Sequence, residues 1–87
     1  MYRKELHEIL DLVLDINEKS EEFAFFDFAG HVGNLTVRLC RKDDEDFEAF
    51  YRKSVYVTGR LRSTKQINAI IKYLKNIKEG KANEGQD

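Results

Sequence analysis

Residues 2–19, "YRKELHEILDLVLDINEK", place Leu6, Ile9, Leu10, Val13 and Leu14 at three- and four-residue spacing. That is the period of one helix face. Leu12 and Ile16 widen the stripe, which predicts a helix covered on more than one side. Glu5, Glu8, Asp11, Asp15 and Glu18 recur with the same period and form an acidic ridge beside it. From Glu21 to Lys42 the period changes to two. In "LTVRLC" Leu35, Val37 and Leu39 alternate strictly with Thr36, Arg38 and Cys40, the signature of a strand with unlike faces. Gly33-Asn34 suits a two-residue hairpin turn. It would pair Val32 with Leu35 and Phe28 with Leu39. One face then collects Phe26, Phe28, Val32, Leu35, Val37 and Leu39; the other collects Phe23, Phe25, Asp27, Arg38 and Cys40.

"KDDED" reads as a solvated acidic turn. "FEAFYRKSVYVTG" supplies a third strand, with a break expected near residues 52–54, or one helical turn over 47–51. Val55 and Val57 point inward, Tyr56 outward, and Gly59 ends the strand. A second helix follows from Thr64 to Lys78, opened by Ser63 and Gln66 in a capping-box arrangement. Its buried stripe is Ile67, Ile70, Ile71, Leu74 and Ile77, with Lys65, Lys72 and Lys75 outside it. The order helix, three antiparallel strands, helix predicts an α+β fold (αβββα) in one domain over residues 1–79, with a polar tail at 80–87. The simplest packing sets both helices on one apolar sheet face.

A strand that is apolar on both sides changes this picture. Phe23 and Phe25 on the outer face call for a cover: a helix on each face, or a partner. An aromatic–arginine patch of Phe23, Phe25, Arg38 and Tyr56 fits the centre of a protein interface. The ridge residues Glu8, Asp11, Asp15 and Glu18 would steer the partner. The same face could instead pair two copies in a homodimer.

Charge adds an alternative. The net charge is −1 over 87 residues, yet residues 1–50 carry six basic and thirteen acidic side chains, and residues 51–87 carry nine and three. A nucleic-acid reader would use Arg60, Arg62, Lys65, Lys72 and Lys75 to neutralise phosphates, with the outer aromatics as a stacking platform. Internal balance between the acidic and basic helices accounts for the same residues.

Chemistry-bearing groups are few. Cys40 is the one cysteine, so no internal disulfide forms, and its place along the hairpin keeps it from His31. The acidic turn lacks the spacing and glycine of a calcium loop. Asp27 is expected to pair across the hairpin with Arg38 or Lys42. No catalytic residue, metal or cofactor is expected, and neither a leader nor a membrane span is read from the chain, which makes the cytoplasm its expected place.

The stretches "FDFAGHVGNLTVRL" and "INAIIKYLKNIK", in this layout, resemble small accessory proteins of phages and prophages. The helix–three strands–helix order is similar to that of some small type II anti-CRISPR proteins. The resemblance implies a non-catalytic role as an accessory protein or inhibitor of a host factor. Members of that shape are strongly acidic and imitate DNA, whereas this chain is acidic only in its first half, and no functional residue carries over.

Overall fold

The structure is a computed structural model and describes residues 3–58 and 63–80. It has the expected order: α1 (Arg3–Lys19), β1 (Glu22–Ala29), β2 (Asn34–Arg41), β3 (Ala49–Tyr56) and α2 (Thr64–Lys78). The strands form one antiparallel sheet in the order β1-β2-β3. This is an α+β fold with an open sheet. Gly59, expected to end the third strand, and the tail beyond residue 80 lie outside the described residues.

Both helices lie on the same face of that sheet. Leu35, Val37 and Leu39 of β2 are wholly buried and share one core with Ala24, Val55, Val57 and the apolar stripes of the two helices. Strict alternation puts all of these strand residues on one side, so the other side receives no helix. Every residue of the α2 stripe, Ile67, Ile70, Ile71, Leu74 and Ile77, is buried as its spacing predicts. The Ser63 hydroxyl accepts the Gln66 N–H at 3.2 Å and so satisfies one of the free donors of the first turn. In α1 the buried stripe is Leu6, Ile9, Val13 and Ile16 with Leu12. Leu10 and Leu14 are 39% and 50% exposed. Burial spreads toward Leu12 because that flank, shared with Glu8 and Asp15, meets α2.

The hairpin keeps its predicted faces but not its register. Phe28 pairs with Leu35 and Ala24 with Leu39, so four residues, Gly30 to Gly33, make the loop. The tight turn is pre-empted by the third strand. The Gly33 carbonyl accepts the Val57 N–H at 2.8 Å. Gly33 also holds φ +64°, and a Cβ there would fall 1.9 Å from Thr58 Oγ1. Only glycine fits that approach. As a consequence Val32 and Phe28, expected in the core, are exposed, while Phe26 packs against the core. The third strand runs unbroken over residues 52–54, with no helical turn at 47–51.

β1 is an edge strand rich in phenylalanine, a type that invites unwanted pairing. The end of α1 covers part of that edge. Asn17 Nδ2 donates to the Ala24 carbonyl and Asn17 Oδ1 accepts the Ala24 N–H, both at 2.9 Å. Ser20 Oγ accepts the Glu22 N–H at 3.2 Å. The Asn17 amide thus stands in for a neighbouring strand. On the inner face Tyr51 stacks on Tyr73 of α2, with centroids 3.9 Å apart and planes at 7°. Burial, helped by Tyr73, pushes the Tyr51 hydroxyl up to about 12.

Two outcomes follow. Asn17→Ala leaves both polar groups of Ala24 unpaired and lowers stability in urea unfolding by about 1–3 kcal/mol. Because the Tyr51 pKa is raised by folding, its contribution is complete below the ordinary value of 10 and is lost as pH rises toward about 12. Tyr51→Phe removes that portion of the alkaline loss, measured by unfolding at stepped pH.

Candidate functional site

The face without helices is a grid that the strand registers define. Four rows cross it: Phe23 and Cys40; Phe25, Arg38 and Arg52; Asp27, Thr36 and Ser54; Ala29, Asn34 and Tyr56. Rows lie about 6.6 Å apart, two residues along each strand. Phe23, Phe25, Arg38 and Tyr56 therefore do share one face, with Phe23 and Tyr56 toward opposite ends. The acidic ridge does not join them. Glu8, Asp11, Asp15 and Glu18 ride on α1, on the far side of the sheet, so the two halves of the expected protein-binding set are separate surfaces.

Cations hold two aromatic rings of this face, Phe25 and Phe23, and a third, Phe50, in the β3 irregularity beside it. The Arg38 guanidinium lies 4.4 Å from the Phe25 centroid, Lys42 Nζ 5.4 Å from Phe23, and Arg41 5.5 Å from Phe50. Lys42 Nζ also donates to the Asn17 carbonyl at 3.0 Å. These contacts take the place of the expected diagonal pair: Arg38 remains a diagonal neighbour of Asp27 but leans on Phe25, Lys42 is turned to Phe23 and the Asn17 carbonyl, and Asp27 forms no ion pair among the described residues. Each cation–π contact at such exposed sites is worth about 0.5–1 kcal/mol.

The Cys40 end of the grid is closed by the β2–β3 connection. Residues opposite Leu39 and Cys40 are Tyr51 and Ala49, so Phe50 is an extra residue that bends β3. Phe47 takes a left-handed φ of 51°, rare for an aromatic residue. Its ring meets Phe23 at 5.9 Å and its carbonyl accepts the Cys40 thiol at 3.0 Å. Cys40 is consequently fully buried. Sequence reading missed Phe47, Phe50 and Arg52. Arg52 had a usable signal: with Val55 inward, an unbroken alternation sets Ser54 and Arg52 outward beside Tyr56.

The basic set is divided as well. Lys75 bonds Glu8 at 3.1 Å and Lys78 bonds Asp15 at 2.9 Å, so the acidic and basic helices neutralise each other along their seam. The hydrogen bond from Lys78 holds the Asp15 carboxyl below the usual range, and Asp15 in turn raises Lys78. Lys65 and Lys72 remain exposed on α2. Arg60 and Arg62 lie outside the described residues. A cleft of about 280 Å³ between β3 and α2, lined by Tyr51, Lys53, Val55, Gln66, Ala69 and Ile70, carries one charge and no acid–base pair. Among the described residues no group of three His, Cys, Asp or Glu side chains gathers to hold a metal, and no helix is long and apolar enough to cross a membrane.

Compared with protein-family models, curated proteins and solved structures, the chain matches none. Its surfaces alone bear on what it does.

The helix seam makes two measurable statements. Lys75→Glu sets a carboxylate against Glu8 and lowers stability by about 0.5–1 kcal/mol at low ionic strength, a difference that shrinks with added salt. Asp15, with its folded pKa depressed, contributes above its ordinary value of 3.8 and loses that contribution as pH falls below it. Acid unfolding of Asp15→Asn is correspondingly less pH-dependent than that of the parent chain.

Proposed function

We propose that the chain is a non-catalytic protein-binding module whose contact surface is the open outer face of the sheet. One observation carries this reading: both helices take the same face, so Phe23, Phe25 and Arg38 stand on a sheet surface that no element of the described chain covers apart from the Phe47 end. Half-buried aromatics interleaved with arginine are the composition of an interface centre. With Phe25 and Phe23 braced by cation–π contacts, this part of the face is ordered before a partner arrives, which reduces the entropy lost on binding. The accessory or inhibitory role that the layout resembles is compatible with such a surface and adds no residue to it.

A nucleic-acid role for α2 draws less support. Lys75, one of its phosphate candidates, is engaged by Glu8, and Lys78 beside it by Asp15. A homodimer through the outer face is a special case of the proposed surface, with the second copy as partner.

The deciding experiment compares two variants for capture of a partner from host extract, followed by rebinding of the purified partner. Phe25→Ser is expected to abolish rebinding, and Lys72→Glu/Lys75→Glu to leave it intact. Loss through the α2 variant, with Phe25→Ser unaffected, would move the site to the helices. Salt-sensitive oligonucleotide binding abolished by the α2 variant would replace the protein-binding reading.

A further inference from the structure

Arg38 and Arg52 are direct partners across β2 and β3. The Val57-to-Gly33 hydrogen bond sets the phase of that ladder. Odd residues of β2 exchange backbone bonds with β3, and Thr36 and Arg38 occupy the non-bonded positions. There opposed Cα atoms approach to about 4.5 Å and side chains come closest. The neighbouring row shows this closeness directly, with Thr36 Oγ1 and Ser54 Oγ 2.8 Å apart. The two arginine side chains thus start from adjacent points of the sheet, where like charges repel.

Nothing in the described chain relieves them. The ion pairs lie on the helices, and Asp27, one row away, reaches neither arginine. Arg38 leans instead over Phe25. That contact draws the Arg38 guanidinium toward β1 without neutralising its charge. Arg38, held on Phe25, and Arg52, free to swing beside it, together offer several donors to one planar anion. The hydroxyl row lies beside them: Thr36 Oγ1 donates to Asn34 Oδ1 at 3.4 Å and can accept the Ser54 hydroxyl at 2.8 Å, so this row is satisfied within the sheet.

We propose that Arg38 and Arg52 form a fork for a carboxylate, supplied by an acidic side chain of the partner protein. This rests on the protein-binding reading and names the chemistry at its centre. A carboxylate fits better than a phosphate backbone for two reasons. The acidic connection Asp43, Asp44, Glu45, Asp46 and Glu48 adjoins the Phe23 end of this face, where Phe47 sits, and its charge opposes a polyanion running the length of the sheet. A single acid at the fork, with its apolar neighbours resting on Phe25 and Phe23, meets no such opposition. The unrelieved pair also implies a compromise in which stability of the free chain is lowered where binding needs the charge.

The test titrates the full chain with a capped Val-Glu-Val-Glu-Val peptide, its Gln counterpart, inorganic phosphate and a thymidine oligonucleotide, following the arginine Nε–H resonances. The Glu peptide is expected to shift Arg38 and Arg52 and the Gln peptide to leave them in place. Arg52→Glu, which faces Arg38 with an opposite charge, should weaken Glu-peptide binding about tenfold or more and at the same time raise the urea midpoint. Equal shifts with both peptides, or no shift, would overturn the fork; so would tighter binding of phosphate or the oligonucleotide, which would assign the pair to phosphates. If Arg52→Glu still rebinds a partner that Phe25→Ser loses, the fork fails while the protein-binding face stands.

Discussion

A three-stranded sheet has two faces, and this chain can fill only one of them. The wholly buried trio Leu35, Val37 and Leu39 on the central strand anchors the single core, and every stripe of α1 and α2 converges on it. A fully buried leucine or valine stabilises by about 1.5–3 kcal/mol relative to exposure. In a chain of 87 residues, dividing the helices between the faces would leave two half-formed cores. From that choice the rest follows: the helices touch, their opposite charges meet, and the far side of the sheet stays open.

The open side is stabilised by means that do not need a core. Cations of the same chain lie on Phe23 and Phe25, the Phe47 turn seals Cys40, and a hydroxyl pair bridges Thr36 to Ser54. At the edge, the Asn17 amide occupies the backbone groups of Ala24. These contacts are polar or weakly polar, so the face remains wettable while keeping aromatic area available. Arg38 and Arg52 are the exception, a charge pair without a counterion inside the described chain. On the proposed reading, an anionic group of the partner relieves that imbalance.

Much of this was legible in the sequence, and the failures have physical causes. The α2 stripe and its Ser63 cap could be read from spacing because helix periodicity is local. The two faces of β2 were equally plain, since alternation survives any even shift of register. The register itself was not legible. Gly33-Asn34 is a good turn in isolation, but the Gly33 carbonyl and Cα are committed to β3, a contact between residues distant in sequence. Leu10 and Leu14 fit the α1 stripe by spacing alone; which flank is buried depends on where α2 lands. Cys40 became buried through a bulge and a left-handed Phe47, neither of which has a sequence signature here. The candidate face was found through its phenylalanines, whereas Arg52 was lost when the third strand was broken at residues 52–54.

The central claim is that the outer sheet face of the free chain is open to solvent. Solvent paramagnetic relaxation enhancement, from a neutral gadolinium chelate added to the isolated protein at several concentrations, measures this most directly. The account predicts strong enhancement at the side chains of Arg52, Ser54 and Tyr56, comparable with Lys72 on α2, intermediate enhancement at the half-buried Phe25 and Thr36, and little at Val37 on the inner face. Protection of the outer rows at every concentration would mean that a helix covers them, and protection that grows with concentration would mean that a second copy does; the first result contradicts the account.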